Sequence, residues 1–158
     1  MGLRVGLGSM ARRVTRHTKR FTAAARKGLR ASHAIRLMGF SLETIGTGCA
    51  VLRMDARSRH KQLHGVVHGG ILAALADTAG AMAAHTVLRR GTALATIELK
   101  INYLEPVPGG RIRAEARVLR AGRNFVVTEC EIFDAKGKLA AKALLTFGAA
   151  GGHSFESM

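Results

Sequence analysis

The stretch from Gly69 to Gly91, GGILAALADTAGAMAAHTVLRRG, decides how the rest of the chain can fold. It contains no Lys, Arg or Glu between Gly69 and Leu88, and it ends in two arginines and a glycine. Cations suit the negative end of a helix dipole, and glycine suits the left-handed position that follows a helix. We therefore expect one long helix, from about Gly70 to Leu88, with both of its faces buried.

The two faces of this helix differ in side-chain size when residues are placed about 100° apart. The large face consists of Ile71, Leu72, Leu75, Ala79 and Met82, and the small face of Gly70, Ala73, Ala74, Asp77, Gly80, Ala81 and Ala84. Burying a lone carboxylate is costly unless the group is paired, and small neighbours leave room for a ligand. Asp77 is therefore a candidate functional group. The alternative is a structural Asp satisfied by backbone amides or by His85.

Alternating apolar and polar residues predict β-strands on both sides of the helix. The predicted strands cover residues 40–46, 49–55, 92–104, 111–120, 124–134 and 138–148, and residues 29–38 predict a short helix. A hairpin turn is expected at residues 134–137. Because helices do not alternate with the strands, the fold class is α+β with an antiparallel sheet.

The loop before the long helix, QLHGVVHGG from Gln62 to Gly70, is rich in glycine. Glycines allow another molecule to approach the backbone, and the first N–H groups of a helix lack intrahelical acceptors. Such an N–H can stabilise a carbonyl oxygen that gains charge in a transition state. A glycine-rich helix start that binds nothing is the alternative.

Asp77 lies seven residues beyond Gly70, about 10.5 Å along one helix. This is too far for a base that acts on a carbonyl held at Gly69. A symmetric dimer would bring Asp77 of one chain towards Gly69 of the other, so we expect an obligate dimer with sites at its interface.

Three motifs together resemble a known family. They are Gln62-x-x-Gly65-x-x-His68-Gly69-Gly70, Ala-Leu-Ala-Asp77, and Thr96-x-Glu-x-x-Ile-x-Tyr-Leu-x-Pro106. Over residues 35–150 the chain resembles the hotdog-fold acyl-CoA thioesterases of the phenylacetate-pathway (PaaI-like) type. The resemblance implies a long central helix wrapped by a curved antiparallel sheet of five to six strands. It also implies dimers, often paired into tetramers, that hydrolyse acyl-CoA or aryl-CoA thioesters without a metal or cofactor.

The resemblance assigns roles to five residues. Asp77 matches the catalytic acid, which acts as general base or nucleophile. Gly69 matches the glycine whose backbone N–H polarises the thioester carbonyl, and His68 matches the histidine before the glycine pair. Gln62 stands where many members have an Asn that orients the water. Thr96 matches a Ser or Thr that assists the acid from the partner side.

Further expectations concern the strand of Thr96 and the substrate contacts. Thr96 has the polar parity of its strand, opposite Ile97, so it needs a bulge or an interface position to reach the site. Gly70 is expected to bind substrate beside Gly69. CoA phosphates need cations, and Arg120, Arg123 and Lys136 at loop ends of the sheet are candidates.

The charge is distributed unevenly. The net charge is +15, and residues 1–36 carry ten Lys or Arg and no acid. We therefore divide the chain into a basic N-terminal extension (1–30), a hotdog thioesterase domain (31–150) and a short tail (151–158). The extension is either a solvated segment, an organelle-targeting segment or an arm that binds anions.

Composition argues against several classes of protein. No stretch has the length and apolarity of a membrane span or secretion signal, and Cys49 and Cys130 lack metal-site spacing, so we expect a cytoplasmic protein. Aromatic residues make up 4% and Trp is absent, which argues against stacking on nucleic-acid bases. The alternatives that stay open are a non-catalytic acyl-CoA-binding hotdog module with an anion-binding arm, a hydratase or dehydratase, and a structural protein.

Overall fold

The computed structural model of the chain describes residues 19–89 and 91–150. It contains the helices α1 (Lys19–Ala31), α2 (His33–Met38) and α3 (Gly69–His85), a short 3-10 turn at Ser58–His60, and the strands β1 (Ser41–Gly46), β2 (Cys49–Ala56), β3 (Ala93–Tyr103), β4 (Gly110–Ala121), β5 (Phe125–Phe133) and β6 (Leu139–Ala150). The strands form one antiparallel sheet in the order β1-β2-β4-β5-β6-β3. The predicted α+β class, long helix and strand order along the chain are confirmed, although the long helix ends at His85 and not at about Leu88.

Helix α3 packs one side against the sheet. Its buried residues are Leu72, Leu75, Ala76, Ala79, Gly80, Ala83 and Ala84. A Cβ atom on Gly80 would lie 2.8 Å from Oγ1 of Thr128 and 3.2 Å from the ring of Phe147, so the absence of a side chain permits this close approach. These contacts therefore fix the distance between α3 and the sheet and the rotation of α3 about its own axis.

The expected burial of both helix faces is wrong for a single chain. On the small face Ala73, Ala74, Asp77 and Ala81 are half-buried, and Gly70 is exposed. The physical reason is that the sheet covers one side of α3, and no other element of the described chain covers the second side completely. A largely uncharged helix surface is left facing outward.

Helix α1 covers the start of the sheet at strand β1. Leu29 is buried, and the Arg26 guanidinium donates to the carbonyl oxygen of Glu43 at 3.5 Å. The predicted helix at 29–38 is instead two helices, separated at Ser32, whose side chain accepts from the N–H of Ile35 at 3.4 Å. Part of the predicted basic extension is thus a packed helix, while residues 1–18 and the tail 151–158 lie outside the described residues.

Two remaining features concern the helices and the cysteines. Within the described chain, no helix combines the length and apolarity needed to cross a bilayer. Both cysteines are free thiols; Cys130 is buried and Cys49 is half-buried. Burial raises the pKa of both thiols, so neither has the lowered pKa that is typical of a reactive cysteine.

Candidate active site

Residue His68 shapes the first turn of α3. Its backbone is extended, with φ −64° and ψ 133°, and its Nδ1 accepts a hydrogen bond from the N–H of Gly70 at 2.9 Å. Its carbonyl oxygen accepts from the N–H of Ile71 at 2.9 Å. Among the residues that the structure describes, none accepts a hydrogen bond from the N–H of Gly69. This amide is therefore an available donor at the positive end of the helix dipole.

Backbone hydrogen bonds from two other segments hold His68 in place. Its N–H donates to the carbonyl oxygen of His60 at 2.8 Å, and the neighbouring N–H of Val67 donates to the carbonyl oxygen of Val107 at 2.8 Å. His60 is itself 3% exposed, and its Nδ1 accepts from the N–H of Arg57 at 3.0 Å. The position of the Gly69 amide therefore depends on a buried histidine eight residues before the helix cap.

A tight turn positions Gln62 beside this helix start. The N–H of Gln62 donates to the carbonyl oxygen of Val66 at 2.9 Å, and the N–H of Gly65 donates back to the carbonyl oxygen of Gln62 at 3.0 Å. Gly65 has a φ of 78°, which glycine adopts without strain. The Oε1 atom of Gln62 accepts from the N–H of His64 at 3.3 Å, which orients the amide group.

Two open clefts meet at Gly69. The first has a volume of about 560 Å³ and is lined by Lys61, Gln62, Leu63, His68 and Gly69. The second has a volume of about 370 Å³ and is lined by Val66, Val67, Gly69, Leu72, Tyr103, Leu104, Glu105, Pro106 and Val107. Three of the residues selected from the sequence, Gln62, His68 and Gly69, are thus brought together around one cleft.

Gly70, which was expected to bind substrate beside Gly69, lies outside both clefts. Its N–H is occupied by His68 and it lines neither cleft. A Cβ atom on Gly70 would lie 3.1 Å from Nδ1 of His68, so glycine at this position accommodates the histidine cap. Binding of substrate by Gly70 stays a prediction.

The carboxylate of Asp77 lies further along α3, half-buried. Its Oδ1 accepts a hydrogen bond from Oγ1 of Thr96 at 2.7 Å, and the described residues provide it with no backbone amide or His85 partner. Thr96 reaches Asp77 through a β-bulge between Thr96 and Glu98, at which Ile97 is the extra residue. The bulge required by the parity of Thr96 is present. The hydrogen bond forms within one chain, however, and not from a partner side.

The two parts of the candidate site are separated in the single chain. Asp77 follows Gly69 by eight residues on α3, a rise of about 12 Å. Asp77 lines neither cleft. One chain therefore presents a hydrogen-bond donor and a carboxylate on the same helix, at a distance that no single thioester group can bridge.

The candidate cations for CoA do not form one cluster. Arg120 near the end of β4 and Arg123 in the following turn are exposed. The strand register places Ala121 in the same row as Thr96, so both arginines lie at the Thr96 end of the sheet. Lys136 lies in the turn between β5 and β6, at the opposite end.

One contact to Gly69 was not identified from the sequence. The hydroxyl of Tyr103 donates to the carbonyl oxygen of Gly69 at 2.8 Å, and a Cβ atom on Gly69 would lie 3.0 Å from the Cζ atom of this ring. Tyr103 is the one tyrosine of the chain, and this rarity could have marked it as a candidate site residue. Across the described residues, no group of three or more His, Cys, Asp or Glu side chains is arranged to bind a metal ion.

Comparison with known proteins identifies the family. The sequence model of the thioesterase superfamily matches residues 64–141. The proofreading thioesterase EntH of Klebsiella pneumoniae is 33% identical over 64% of this chain and 74% of its own length, and the 1,4-dihydroxy-2-naphthoyl-CoA hydrolase of Escherichia coli is 27% identical over 81% and 94%. The structure of the E. coli PaaI protein from the phenylacetic acid degradation operon matches with a TM-score of 0.76 and 26% identity, over 83% of this chain and 94% of that one. These findings confirm the predicted hotdog fold and PaaI-like resemblance: the chain belongs to the thioesterase superfamily and is a thioester hydrolase.

Proposed function

We propose that the protein hydrolyses acyl-CoA or aryl-CoA thioesters at a site shared between two copies of the chain. The observation that carries this proposal is the separation of the Gly69 amide from the Asp77 carboxylate. Both groups are accessible, and the small face of α3 between them is only half-buried. The similarity to a hydrolase named for a CoA thioester supports the substrate class.

The edge of the sheet offers a way to bring two copies together. Strand β3 has eleven residues and pairs with β6 on one side only. A two-fold axis at this edge would pair β3 with its copy and place the two α3 helices antiparallel. The Gly69 end of one helix would then approach Asp77 of the partner subunit. The tetramer that the family resemblance also allows stays a prediction.

In the proposed mechanism the thioester carbonyl oxygen accepts a hydrogen bond from the N–H of Gly69. This donor and the helix dipole stabilise the negative charge that forms on the oxygen. As a general base, Asp77 takes a proton from a water molecule whose oxygen adds to the carbonyl carbon. As a nucleophile, Asp77 itself adds, and water then hydrolyses the resulting anhydride. In both routes the C–S bond breaks and CoA leaves as a thiolate that takes up a proton.

The other selected residues have supporting roles in this proposal. The hydrogen bond from Thr96 fixes Oδ1 of Asp77 and so orients Oδ2 for the proton transfer or attack. Gln62 orients the water, and His68 fixes the turn that presents the Gly69 amide. Arg120 and Arg123 lie on the same chain as the acting Asp77 and bind the CoA phosphates.

Replacement of Asp77 by Asn tests the proposal. The Asn side chain still accepts a hydrogen bond from Thr96 but cannot take up a proton or attack, so we expect kcat to fall by at least about 100-fold. Release of free CoA thiol would be measured over a panel of aryl- and acyl-CoA substrates. Near-normal turnover by Asp77→Asn would remove Asp77 from the mechanism.

The matched control is Asp55→Asn, which changes an exposed carboxylate paired with Arg111 at 3.0 Å and should leave turnover unchanged. Sedimentation should give the same oligomer for both variants and the wild type. The non-catalytic alternative predicts that the wild type binds acyl-CoA without releasing thiol. A cytoplasmic location stays a prediction from the sequence.

A further inference from the structure

The two clefts that meet at Gly69 differ in chemistry. The first contains a cation, Lys61, for which the described residues provide no carboxylate partner, and the amide of Gln62. The second is lined mainly by apolar side chains, among them Leu72 and Val107. The two clefts therefore suit chemically different groups.

Charge within the second cleft is neutralised. Its one carboxylate, Glu105, forms an ion pair with Lys138 at 2.7 Å. This pairing leaves neither a free cation for a phosphate nor a free anion among its lining residues. With a volume of about 370 Å³, the cleft lies near the lower end of the range for small-molecule pockets. It therefore suits a compact apolar group.

Tyr103 forms the wall of the second cleft beside Gly69. Its hydroxyl is held by the Gly69 carbonyl oxygen at 2.8 Å, and its ring lies against the Gly69 backbone. The side chain lines the second cleft and does not line the first. Tyr103 lies at the end of β3, on the edge of the proposed dimer, and is 51% exposed in the single chain, so its replacement leaves the core of that chain intact.

A thioester carbon bonded to its oxygen carries two further substituents, the acyl chain and the sulfur, which point in different directions. We propose that, with the carbonyl oxygen at the Gly69 amide, the acyl group enters the apolar second cleft and the CoA sulfur and pantetheine follow the first cleft past Lys61. Tyr103 then determines which acyl groups fit. This inference rests on the proposed function and adds to it a substrate class, thioesters of compact apolar acids.

The test is a substrate series with variants on both sides of Gly69. Tyr103→Ala widens the second cleft beside Gly69, so we expect kcat/KM for lauroyl-CoA relative to hexanoyl-CoA to rise by about tenfold. Tyr103→Phe removes only the hydroxyl and should lower kcat without changing the order of substrates. If Tyr103→Ala instead scales kcat/KM of every thioester by the same factor, the acyl assignment is overturned.

The second part of the test changes the first cleft, at Lys61. Lys61→Glu should raise KM for all CoA thioesters without changing their order, and it should raise KM for N-acetylcysteamine thioesters less, because these lack the phosphates of CoA. An altered order of acyl groups in Lys61→Glu would contradict the assignment. Failure of the proposed function is distinguishable, because the wild type would then release no thiol from the CoA thioesters, whatever their acyl group. Melting temperatures of all variants check that each one is folded.

Discussion

The two edges of the sheet are protected differently. Strand β1 has six residues, carries a bulge between Leu42 and Thr44, and lies under α1. Strand β3 has eleven residues and no described element beyond it, and it exposes Ile97 at 60%. Edge strands are normally shortened, bulged or covered to prevent unwanted pairing. Strand β1 is therefore a short edge covered by a helix, whereas β3 is a long edge that no element of the described chain covers.

Both edges contain a bulge, and the bulges have different consequences. In β1 the bulge contains Glu43, which pairs with Arg113 at 3.2 Å and accepts from α1. In β3 the bulge at Ile97 turns Thr96 towards Asp77. The open edge also carries Tyr103. The residues that we propose for catalysis and specificity are therefore concentrated at the edge that a second chain would complete in the proposed dimer.

Mixed dimers test whether one active site uses residues from two chains, and we expect this experiment to give the largest effect. We expect Asp77→Asn and Gly69→Pro each to abolish activity alone, since proline removes the donor N–H at the first helical position and its ring displaces Tyr103. A dimer with one copy of each variant retains one intact site of two, so it should recover about half of the wild-type turnover. The measurement is the activity of mixed dimers purified through two different affinity tags. A site contained in one chain predicts no recovery.

A charge placed on each edge gives the next largest effect. Ile97→Lys puts a cation on the open edge, and we expect it to weaken the dimer and to lower activity about tenfold at low protein concentration. Raising the concentration should restore the activity. Ser41→Lys is the matched change on β1, and it should leave the mass of the oligomer in solution and the activity unchanged. Equal effects of the two substitutions on sedimentation would show that β3 has no special role.

The sequence predicted most elements because hydrophobic periodicity carries that information. The parity of Thr96 required either a bulge or an interface position for this residue to reach a site, and the structure shows the bulge. Burial of α3 was misjudged because periodicity cannot distinguish a face that the chain's own sheet covers from one that the chain leaves uncovered. Helix α1 was missed because its many cations obscure the stripe of Thr22, Ala25 and Leu29. The Tyr103 contact joins residues far apart in sequence, which no local pattern reports.

The smallest expected effect is a pH dependence of the melting temperature that arises from His60, in the segment between β2 and α3. Burial, together with Arg59 and Arg57, lowers the pKa of His60 below its ordinary value of 6.5. As pH falls below 6.5, the unfolded chain therefore takes up a proton before the folded chain does, and the free energy of unfolding decreases. We expect Tm to fall between about pH 7.5 and pH 5.5.

Two variants separate the hydrogen bond of His60 from its titration. His60→Asn keeps an acceptor for the Arg57 N–H, and it should reduce the pH dependence while retaining most of the stability at pH 7.5. His60→Leu removes the acceptor and should cost about 1–3 kcal/mol. A remaining slope is expected from His85, whose pKa desolvation also lowers. A Tm that falls as steeply in His60→Asn as in the wild type would rule out His60 as the source.

The histidine cap has a consequence for ligand choice. An uncapped helix start commonly holds phosphate through several amides at once. In α3 the N–H groups of Gly70, Ile71 and Leu72 all donate to His68. Of the N–H groups in this first turn, only that of Gly69 has no acceptor within the described residues. One amide is sufficient for a carbonyl oxygen and too few to hold a phosphate. The phosphates of CoA would therefore not compete with the bond to be cleaved for its binding position.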